Sequence, residues 1–411
     1  MMSQKWSTLG SNCELITRGV TPNYDDNGTG FIVKSAQVFP EQILWENCPK
    51  IESSFITKHK NKYALQLGDV LLTGTGTGTL GRPAIIRHIP QNIFLPDSHL
   101  NLIRVNLNDT LPEYVFYWLC SSIGQTFINK AYTGSTNQIE LSAEKVSCLP
   151  IPLVTLKKQK QIVSLLNKAG SIRRLRKYAL KLTNSFLQSV FMDMFGDYKK
   201  FEQKTVEDIA EQRHYALSSG PFGSNLTSKD YVAEGIPVLR GFNVTSSLLD
   251  LNDLVYVSIE KFNELTRSEV RPGDVVVVAV GASGIAKVIP PTLKKAIMSQ
   301  NFNKITPDKN IIHPVYLEFC INSQLVQNQF KKEITDTVRT FLSLTKLKEV
   351  PIPVPPIDLQ MKFVSIVEQN EKLNIELNES LRQSEMLFQS LLHKAFSGEL
   401  SERDEKVLTE V

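Results

Sequence analysis

The sequence has no run of about 18 apolar residues, the minimum that a membrane-spanning helix needs. The segment Met1 to Trp6 also lacks the apolar stretch of an export signal, so we expect a protein that neither spans a membrane nor is exported. Charge of either sign is not in large excess, because 46 Lys and Arg stand against 42 Asp and Glu. A net charge of +4 does not by itself indicate a nucleic-acid partner.

Cysteine is scarce and poorly arranged for a structural role. The number is odd, no two cysteines form a C-x-x-C pair, and no histidine pair lies nearby at ligand spacing. Neither a disulfide framework nor a zinc site is therefore indicated, and we expect reduced thiols in a cytoplasmic protein with no bound metal. The five residues are Cys13, Cys48, Cys120, Cys148 and Cys320.

Catalytic motifs are also missing, with one partial exception. Gly76 to Gly81 reads G-x-G-x-x-G after a strand-like segment, as in a dinucleotide site. Such a site needs a helix next, whereas Arg82 to Pro90 is rich in β-branched residues and contains two prolines. A P-loop is excluded because Arg82-Pro83 stands where Lys-Ser/Thr is required. We expect no catalytic residue, and a nucleotide-dependent enzyme is the hypothesis about function that the sequence favours least.

An internal repeat is the main feature that is present. Leu149 to Leu153 recurs as Val350 to Val354, 201 residues later, and both segments contain Pro-Ile-Pro. An ordered series of such matches indicates duplicated domains, since the period far exceeds that of solenoid repeats. Other matches pair Gln159 with Gln360, Pro112 and Tyr114 with Pro314 and Tyr316, and Gly68 to Val70 with Gly273 to Val275.

Strand-like runs before each Pro-Ile-Pro segment give way to a long helical pattern after it. Each helix of roughly 35–40 residues would be about 55–60 Å long. From Lys157 to Lys181 the first carries nine bases and no acid, whereas from Asp358 to Glu385 the second carries six acids and three bases. These charges indicate either solvated faces or an antiparallel pair, in which Asn370 would fix the register. The apolar seam of the first helix would include Leu175, Leu182 and Phe186.

These patterns predict an α+β fold with two similar mixed domains and two long helices that form an antiparallel coiled coil. The first domain would span residues 1–152 and its helix 153–196. The second domain would span 197–354, and its helix with the C-terminal tail 355–411.

The order of elements resembles the specificity subunit of type I restriction–modification enzymes. The resemblance covers the whole chain and is carried by short duplicated motifs whose first-domain versions, Gly19 to Pro22 and Phe31 to Lys34, are weaker. The motifs are Ser219 to Ser224, Gly235 to Gly241, Leu65 to Leu71, Val270 to Val276, Phe191 to Gly196 and Leu391 to Leu400.

The resemblance implies that each domain is a target-recognition domain that reads one half of a bipartite asymmetric DNA site. The helices would set the spacer and dock two methyltransferase subunits, and restriction subunits would join through these. No cofactor is expected on this chain, because S-adenosylmethionine, ATP and Mg²⁺ would belong to the partners. The alternative is a coiled-coil scaffold that binds proteins and does not read DNA.

The candidate DNA contacts are basic, amide or aromatic residues in loops beside strands, since such side chains suit phosphate contact or base readout. Surface charge, turn chemistry and local packing explain each of them about as well. Two groups of candidates, residues 136–138 and residues 339–340, lie in the loops that precede the Pro-Ile-Pro segments. The candidates are Tyr24, Lys34, Arg82, Thr136, Asn137, Gln138, Phe222, Asn225, Arg240, Asn243, Lys287, Arg339 and Thr340.

Overall fold

The computed structural model describes residues 5–40, 42–134, 139–244, 249–281, 283–333, 341–401 and 404. The chain forms two compact units: unit 1 is residues 1–178 with 377–411, and unit 2 is residues 179–376. Each unit therefore contains one part of both long helices. The sequence-based limits divide the chain by secondary structure rather than by compact unit, and they remain a prediction.

Unit 1 contains eleven described strands and four short helices before the first long helix. The strands are β1 Trp6–Thr8, β2 Cys13–Arg18, β3 Gly30–Val33, β4 Val38–Phe39, β5 Gln42–Ile43, β6 Lys50–Ile51, β7 Val70–Thr73, β8 Pro83–Ile85, β9 Ile93–Pro96, β10 Leu100–Val105 and β11 Pro150–Pro152. The helices are α1 Ser53–Tyr63, α2 Pro112–Cys120, α3 Ser122–Ala131 and α4 Ala143–Ser147.

The central sheet of unit 1 is antiparallel with the order β2-β10-β7-β8. A second sheet has the order β6-β3-β9, in which β3 and β9 are parallel, and β4 pairs with β5. The Pro-Ile-Pro strand β11 pairs antiparallel with β1, so the beginning and the end of the domain are hydrogen-bonded to each other.

Unit 2 repeats this arrangement. After the first long helix, α5 Leu156–Phe195, its strands are β12 Glu202–Thr205, β13 Leu217–Ser219, β14 Tyr231–Val232, β15 Ile236–Leu239, β16 Val255–Val257, β17 Glu269–Val270, β18 Val275–Val278, β19 Ala286–Val288, β20 Ala296–Met298, β21 Phe302–Ile305 and β22 Pro351–Val354. Its helices are α6 Ile259–Glu264, α7 Pro314–Asn322, α8 Gln324–Glu333 and α9 Leu344–Lys348, and α10 is Ile357–Ser397.

The sheet order β13-β21-β18-β19 in unit 2 matches β2-β10-β7-β8 in unit 1, and β22 pairs with β12 as β11 pairs with β1. The second sheet is larger, with the order β14-β16-β15-β20-β17, and its β15–β20 pair is parallel like β3–β9. The structure thus shows the duplication that the sequence matches predict.

In each unit two short helices follow one another directly, α2 and α3 in unit 1 and α7 and α8 in unit 2. Ser121 and Ser323 separate α2 from α3 and α7 from α8, because both serines have extended backbone, with ψ of 152° and 153°. The hydroxyl group of Tyr114 in α2 donates to the Pro152 carbonyl at 3.0 Å, and that of Tyr316 in α7 donates to the Pro353 carbonyl at 2.8 Å. These bonds hold the Pro-Ile-Pro strands against the domains.

The long helices contain 40 and 41 residues, as expected from the sequence. Within unit 1 they run antiparallel: Arg176 of α5 donates to the Ser380 carbonyl at 2.6 Å, while Phe388 lies near Gly170, six residues earlier on α5. Lys177 and Glu385 form an ion pair at 3.5 Å, so the predicted charge pairing is present here.

Within unit 2 the other parts of the two helices also run antiparallel. The hydroxyl of Thr183 donates to Asn374 Oδ1, and the ring of Phe191, further along α5, lies 5.4 Å from that of Phe363, earlier on α10. Asn370 is 5% exposed, as expected for a core position, but its amide nitrogen has no hydrogen-bond partner in the described part of the chain.

The predicted seam is wrong at three positions of α5. Leu175, Leu182 and Phe186 are 66%, 47% and 50% exposed, although a seam position would be buried. The three-four spacing slips near Leu175, which moves the apolar stripe around the helix and away from the partner. The side chains of Leu175, Leu182 and Phe186 therefore face away from α10.

Candidate nucleic-acid interface

At one end of the central sheet of unit 1, the Gly-rich turn 74–81 contacts the segment that leads to α4. The Gly74 amide donates to the His99 carbonyl at 2.8 Å, and the Leu141 amide donates to the Gly74 carbonyl at 2.8 Å. The side chain of buried Asn101 completes the contact by donating to the Leu141 carbonyl at 2.9 Å. We call this end, residues 74–81, 97–101, 133–134 and 139–141, the loop edge of unit 1.

Unit 2 has the same edge. The Ala279 amide donates to the Asn301 carbonyl at 2.7 Å, and the Leu342 amide donates to the Ala279 carbonyl at 2.9 Å. Asn303, the equivalent of Asn101, donates to the Leu342 carbonyl at 2.8 Å. Because both units make equivalent hydrogen bonds here, the loop edge is a feature of the duplicated fold.

Two groups of candidates belong to loops that begin or end at these edges. Thr133 and Thr75 both bridge to Glu140 in unit 1, and Phe341 bridges to Val280 in unit 2. The candidates themselves, Thr136, Asn137 and Gln138 in the first loop and Arg339 and Thr340 in the second, lie outside the described residues. Their contact with DNA stays a prediction.

Lys34 and Arg240 occupy equivalent positions, as the sequence predicts. Each follows the central parallel strand of the second sheet, and each backbone amide donates to the side chain three residues later: Lys34 to Gln37 at 3.2 Å and Arg240 to Asn243 at 2.8 Å. The Lys34 ammonium lies 5.4 Å from the ring centre of Tyr24, which is 56% exposed. The fold thus brings two candidates of unit 1 together.

Arg240 and Asn243 stabilise their own loop. The Arg240 guanidinium lies 4.2 Å from the Phe242 ring centre and donates to the Asp253 carbonyl at 3.2 Å. Asn243 is fully buried, and its amide donates to the carbonyls of Asp250 and Asp253 at 3.1 and 3.0 Å. A buried side chain with these partners shapes the loop, so the predicted DNA contact of Asn243 has no support from its position.

Lys287 and Arg82 also have partners within the protein. Lys287 Nζ lies 2.9 Å from Glu318 Oε1, and both side chains are about one-sixth exposed, at 15% and 16%. Arg82 Nη2 donates to the Ser35 carbonyl at 2.6 Å, and burial lowers the pKa of its guanidinium. Lys287 is largely neutralised by Glu318, whereas Arg82 forms no ion pair in the part of the chain that the structure describes.

Phe222 and Asn225 are both exposed, and the Phe222 ring is 66% exposed. Arg267 lies 6.0 Å from the Phe222 ring centre, which repeats the cation–aromatic pairing of Lys34 and Tyr24. Sequence reasoning missed Arg267, because it lies 45 residues along the chain from Phe222. It also missed Phe341, which is 54% exposed beside the Gly-rich turn of unit 2.

The Gly-rich turn of unit 1 does not have the structure of a dinucleotide site. Gly76, Gly78 and Gly81 have φ of +94°, +84° and +78°, a region that favours glycine, so turn geometry alone explains their spacing. The strand β8 follows the turn, where a phosphate-binding site would need a helix N-terminus. Within the described residues, no group of three or more His, Cys, Asp or Glu is placed to hold a metal ion. A search of the same residues for a helix long and apolar enough to cross a membrane found none.

Sequence comparison matches the type I restriction modification DNA specificity domain to residues 7–181 and again to residues 199–384. The chain belongs to this family. The two matches coincide with the two copies of the sheet described above, so the predicted resemblance and the predicted fold class are confirmed.

Relatives within the specificity-domain family are matched over part of their length. The type I restriction enzyme EcoBI specificity subunit of Escherichia coli is 31% identical over 176 residues, 42% of this chain and 37% of the relative. The EcoKI specificity subunit of Escherichia coli strain K12 is 26% identical over 230 residues, 53% of this chain and 47% of the relative. Each alignment thus covers less than half of the relative.

A solved structure concerned with complex assembly and conformational transition of the type I R-M system contains a similar chain. It aligns with 97% of this chain and 99% of its own length, with a TM-score of 0.60 and 18% identity. At this identity the likeness supports the fold of the specificity-domain family across nearly the whole chain.

Proposed function

We propose that this chain is the non-catalytic DNA sequence-specificity subunit of a cytoplasmic type I restriction–modification complex. Each of its two domains reads one half of a bipartite asymmetric DNA site. The observation that carries the proposal is the double match to the specificity domain, on two copies of one sheet that end in the same loop edge. A protein that reads two half-sites needs two reading domains, and this chain has two.

The chemistry of the exposed residues supports contact with DNA. Lys34 with Tyr24 in unit 1, and Arg267 with Phe222 in unit 2, each combine a cation with an exposed ring. A cation can neutralise a phosphate, and a ring can pack against a sugar or a base. Bases are read by side chains with paired donors and acceptors, a role that we assign to the loops containing Gln138 and Arg339.

Exposed apolar side chains on the long helices support a protein partner. In unit 1, Leu175 and Tyr178 are 66% and 59% exposed, and in unit 2 Phe186 and Ile375 are 50% and 71% exposed. Large apolar side chains exposed together mark an interaction surface. We propose that the helices dock two methyltransferase subunits here and that restriction subunits join through these. S-adenosylmethionine, ATP and Mg²⁺ then bind to the partner subunits.

A domain exchange tests the division of labour. Residues 1–152 are replaced by the corresponding domain of a relative with a different target, and the methylated adenines are mapped genome-wide. We expect one half-site to change while the other half-site and the spacer stay the same. A simultaneous change of both half-sites would contradict the proposal.

A scaffold that binds proteins without reading DNA is the second candidate, favoured by the same exposed apolar helices. Binding of a labelled target duplex at increasing salt separates the two. A DNA-reading complex loses affinity steeply with salt because phosphate neutralisation releases counterions. The spacer role is tested by inserting one heptad into both α5 and α10, which should change the spacer that the complex tolerates.

A further inference from the structure

A cleft of about 760 Å³ lies within unit 1, where β8 and α2 meet the two long helices. Five of its described lining residues are basic and none is acidic. Volumes of about 300–1,000 Å³ are typical of sites for small molecules. The basic residues are Arg82, Arg87, Arg173, Arg174 and Lys177.

Aromatic rings hold three of the guanidinium groups in place. A guanidinium that stacks on a ring keeps its N–H edge available for hydrogen bonds and loses little freedom when it binds an anion. The distances to the ring centres are 4.6 Å for Arg82 over Phe39, 5.2 Å for Arg87 over Phe116, and 4.3 Å for Arg173 over Phe388.

Part of the positive charge of the cleft has no counter-charge within the described residues. Lys177 pairs with Glu385 at 3.5 Å, but both side chains are nearly half exposed, at 46% and 47%. Arg87 and Arg174 make no ion pair within the described residues. Burial raises the pKa of the Tyr117 hydroxyl, and the positive charges of Arg87 and Arg174 oppose this rise. Both arginines therefore lie close to the Tyr117 hydroxyl.

The equivalent region of unit 2 lacks this cluster of cations. The offsets of the repeat place Glu318 where unit 1 has Phe116, and Glu371 where unit 1 has Gly170. Burial and the neighbouring carboxylates of Glu318 and Glu368 raise the pKa of Glu371. The arginines are replaced as well, since Asn374 and Ile375 stand at the positions of Arg173 and Arg174, and Ile285 and Pro290 at those of Arg82 and Arg87.

This difference shows that the fold does not require a basic cleft. A ligand that both halves bind alike would favour the same charge in both copies, so a ligand of this cleft would bind unit 1 alone. We propose that it binds clustered phosphate groups, because stacked arginines match phosphate oxygens and several cations suit a multiply charged anion. The inference goes beyond sequence readout and does not depend on it. The phosphates belong either to a free polyphosphate or to a nucleic-acid strand.

Calorimetric titration of the full chain with inorganic tripolyphosphate, in Mg²⁺-free buffer, tests the proposal. The variant Arg87→Gln/Arg174→Gln should bind roughly tenfold or more weakly, because two charge-assisted contacts are lost. Lys157→Gln/Lys181→Gln removes the same charge from exposed positions of α5 outside the cleft and should bind like the original protein. Circular dichroism checks that both variants are folded.

A second arm distinguishes the two sources of phosphate. If saturating target duplex blocks tripolyphosphate and the cleft variant also binds the duplex more weakly, the ligand is a nucleic-acid strand. If duplex and tripolyphosphate bind together, the ligand is a free polyphosphate. Equal binding of tripolyphosphate by both variants, or no binding by the original protein, would overturn the proposal.

Discussion

Gln159 and Gln360 make the same three hydrogen bonds at the beginning of the two long helices. Gln159 Oε1 accepts from the Leu111 amide at 2.8 Å, and its Nε2 donates to the carbonyls of Asp109 and Val154 at 2.9 and 3.1 Å. Gln360 accepts from the His313 amide at 2.8 Å and donates to two carbonyls likewise. Each glutamine therefore fastens its helix to the domain that precedes it.

Gln159→Leu should lower the free energy of unfolding by about 2–3 kcal/mol, because it removes the hydrogen-bond partner of three part-buried backbone groups. Gln161→Leu, two residues further at an exposed position of the same helix, provides the control and should have little effect. Urea unfolding measures both. Equal losses in the two variants would show that helix propensity, rather than the bonds of Gln159, determines the result.

Lys304 should be replaceable by leucine with a gain in stability. It is 2% exposed, burial lowers the pKa of its ammonium group, and the repeat has Leu102 at the equivalent position. At neutral pH, Lys304→Leu should raise the free energy of unfolding, since burial disfavours the charged ammonium more than the nearby charges of Asp274 and Glu269 favour it. Lys294→Leu at an exposed position is the control.

The gain from Lys304→Leu should depend on pH. The folded state favours the neutral amine, so the unfolding free energy of the original protein rises as pH approaches the ordinary lysine value of 10.5. The leucine variant lacks this rise, and its advantage therefore shrinks at alkaline pH. Urea unfolding at pH 7 and pH 10 measures the difference, and a gain that grew with pH would contradict this account.

Asn370→Leu and Asn374→Leu should have opposite effects on stability. Asn370 is buried with an unpartnered amide nitrogen, so leucine should stabilise unit 2 by about 1 kcal/mol. Asn374 accepts a hydrogen bond from Thr183, and leucine at position 374 should destabilise unit 2. Thermal unfolding distinguishes them. Destabilisation by Asn370→Leu would instead support a role for this residue in fixing the register of the helices.

Phe222→Ala should weaken DNA binding without affecting the fold. The ring is 66% exposed, so its loss changes the unfolding free energy by less than about 0.5 kcal/mol. If the ring packs against a base, the affinity for target duplex should fall by about 1–3 kcal/mol. Tyr215→Ala removes another ring of unit 2, 41% exposed and outside the proposed docking surface, and should leave affinity unchanged. Fluorescence anisotropy with the assembled methyltransferase complex compares the two, and equal affinities would exclude contact through Phe222.

Features that recur at a fixed offset were predictable from the sequence. Gln159 with Gln360 and Tyr114 with Tyr316 make equivalent bonds because each pair occupies one position of a duplicated fold. The lengths of the long helices were predictable for a similar reason, since few breakers interrupt them and the Pro-Ile-Pro segments mark where they begin.

Features that depend on contacts between distant segments were not predictable. The sequence suggests a phosphate contact for Lys287 but does not reveal its partner Glu318. Glu318 lies 31 residues away in sequence, and its Oε1 lies 2.9 Å from Lys287 Nζ. Asn243 seemed suited to a DNA contact, but the loop closes over it. Leu182 and Phe186 fitted a helical period, but a period does not specify which side of a helix meets its partner.

The pairing of β1 with β11, and of β12 with β22, means that each domain starts and finishes at one place. A stretch of gene encoding the second domain can therefore be exchanged between relatives by two crossovers, one between α5 and β12 and one between β22 and α10. Under the proposed function, such an exchange would change one half-site of the target and leave both long helices in place.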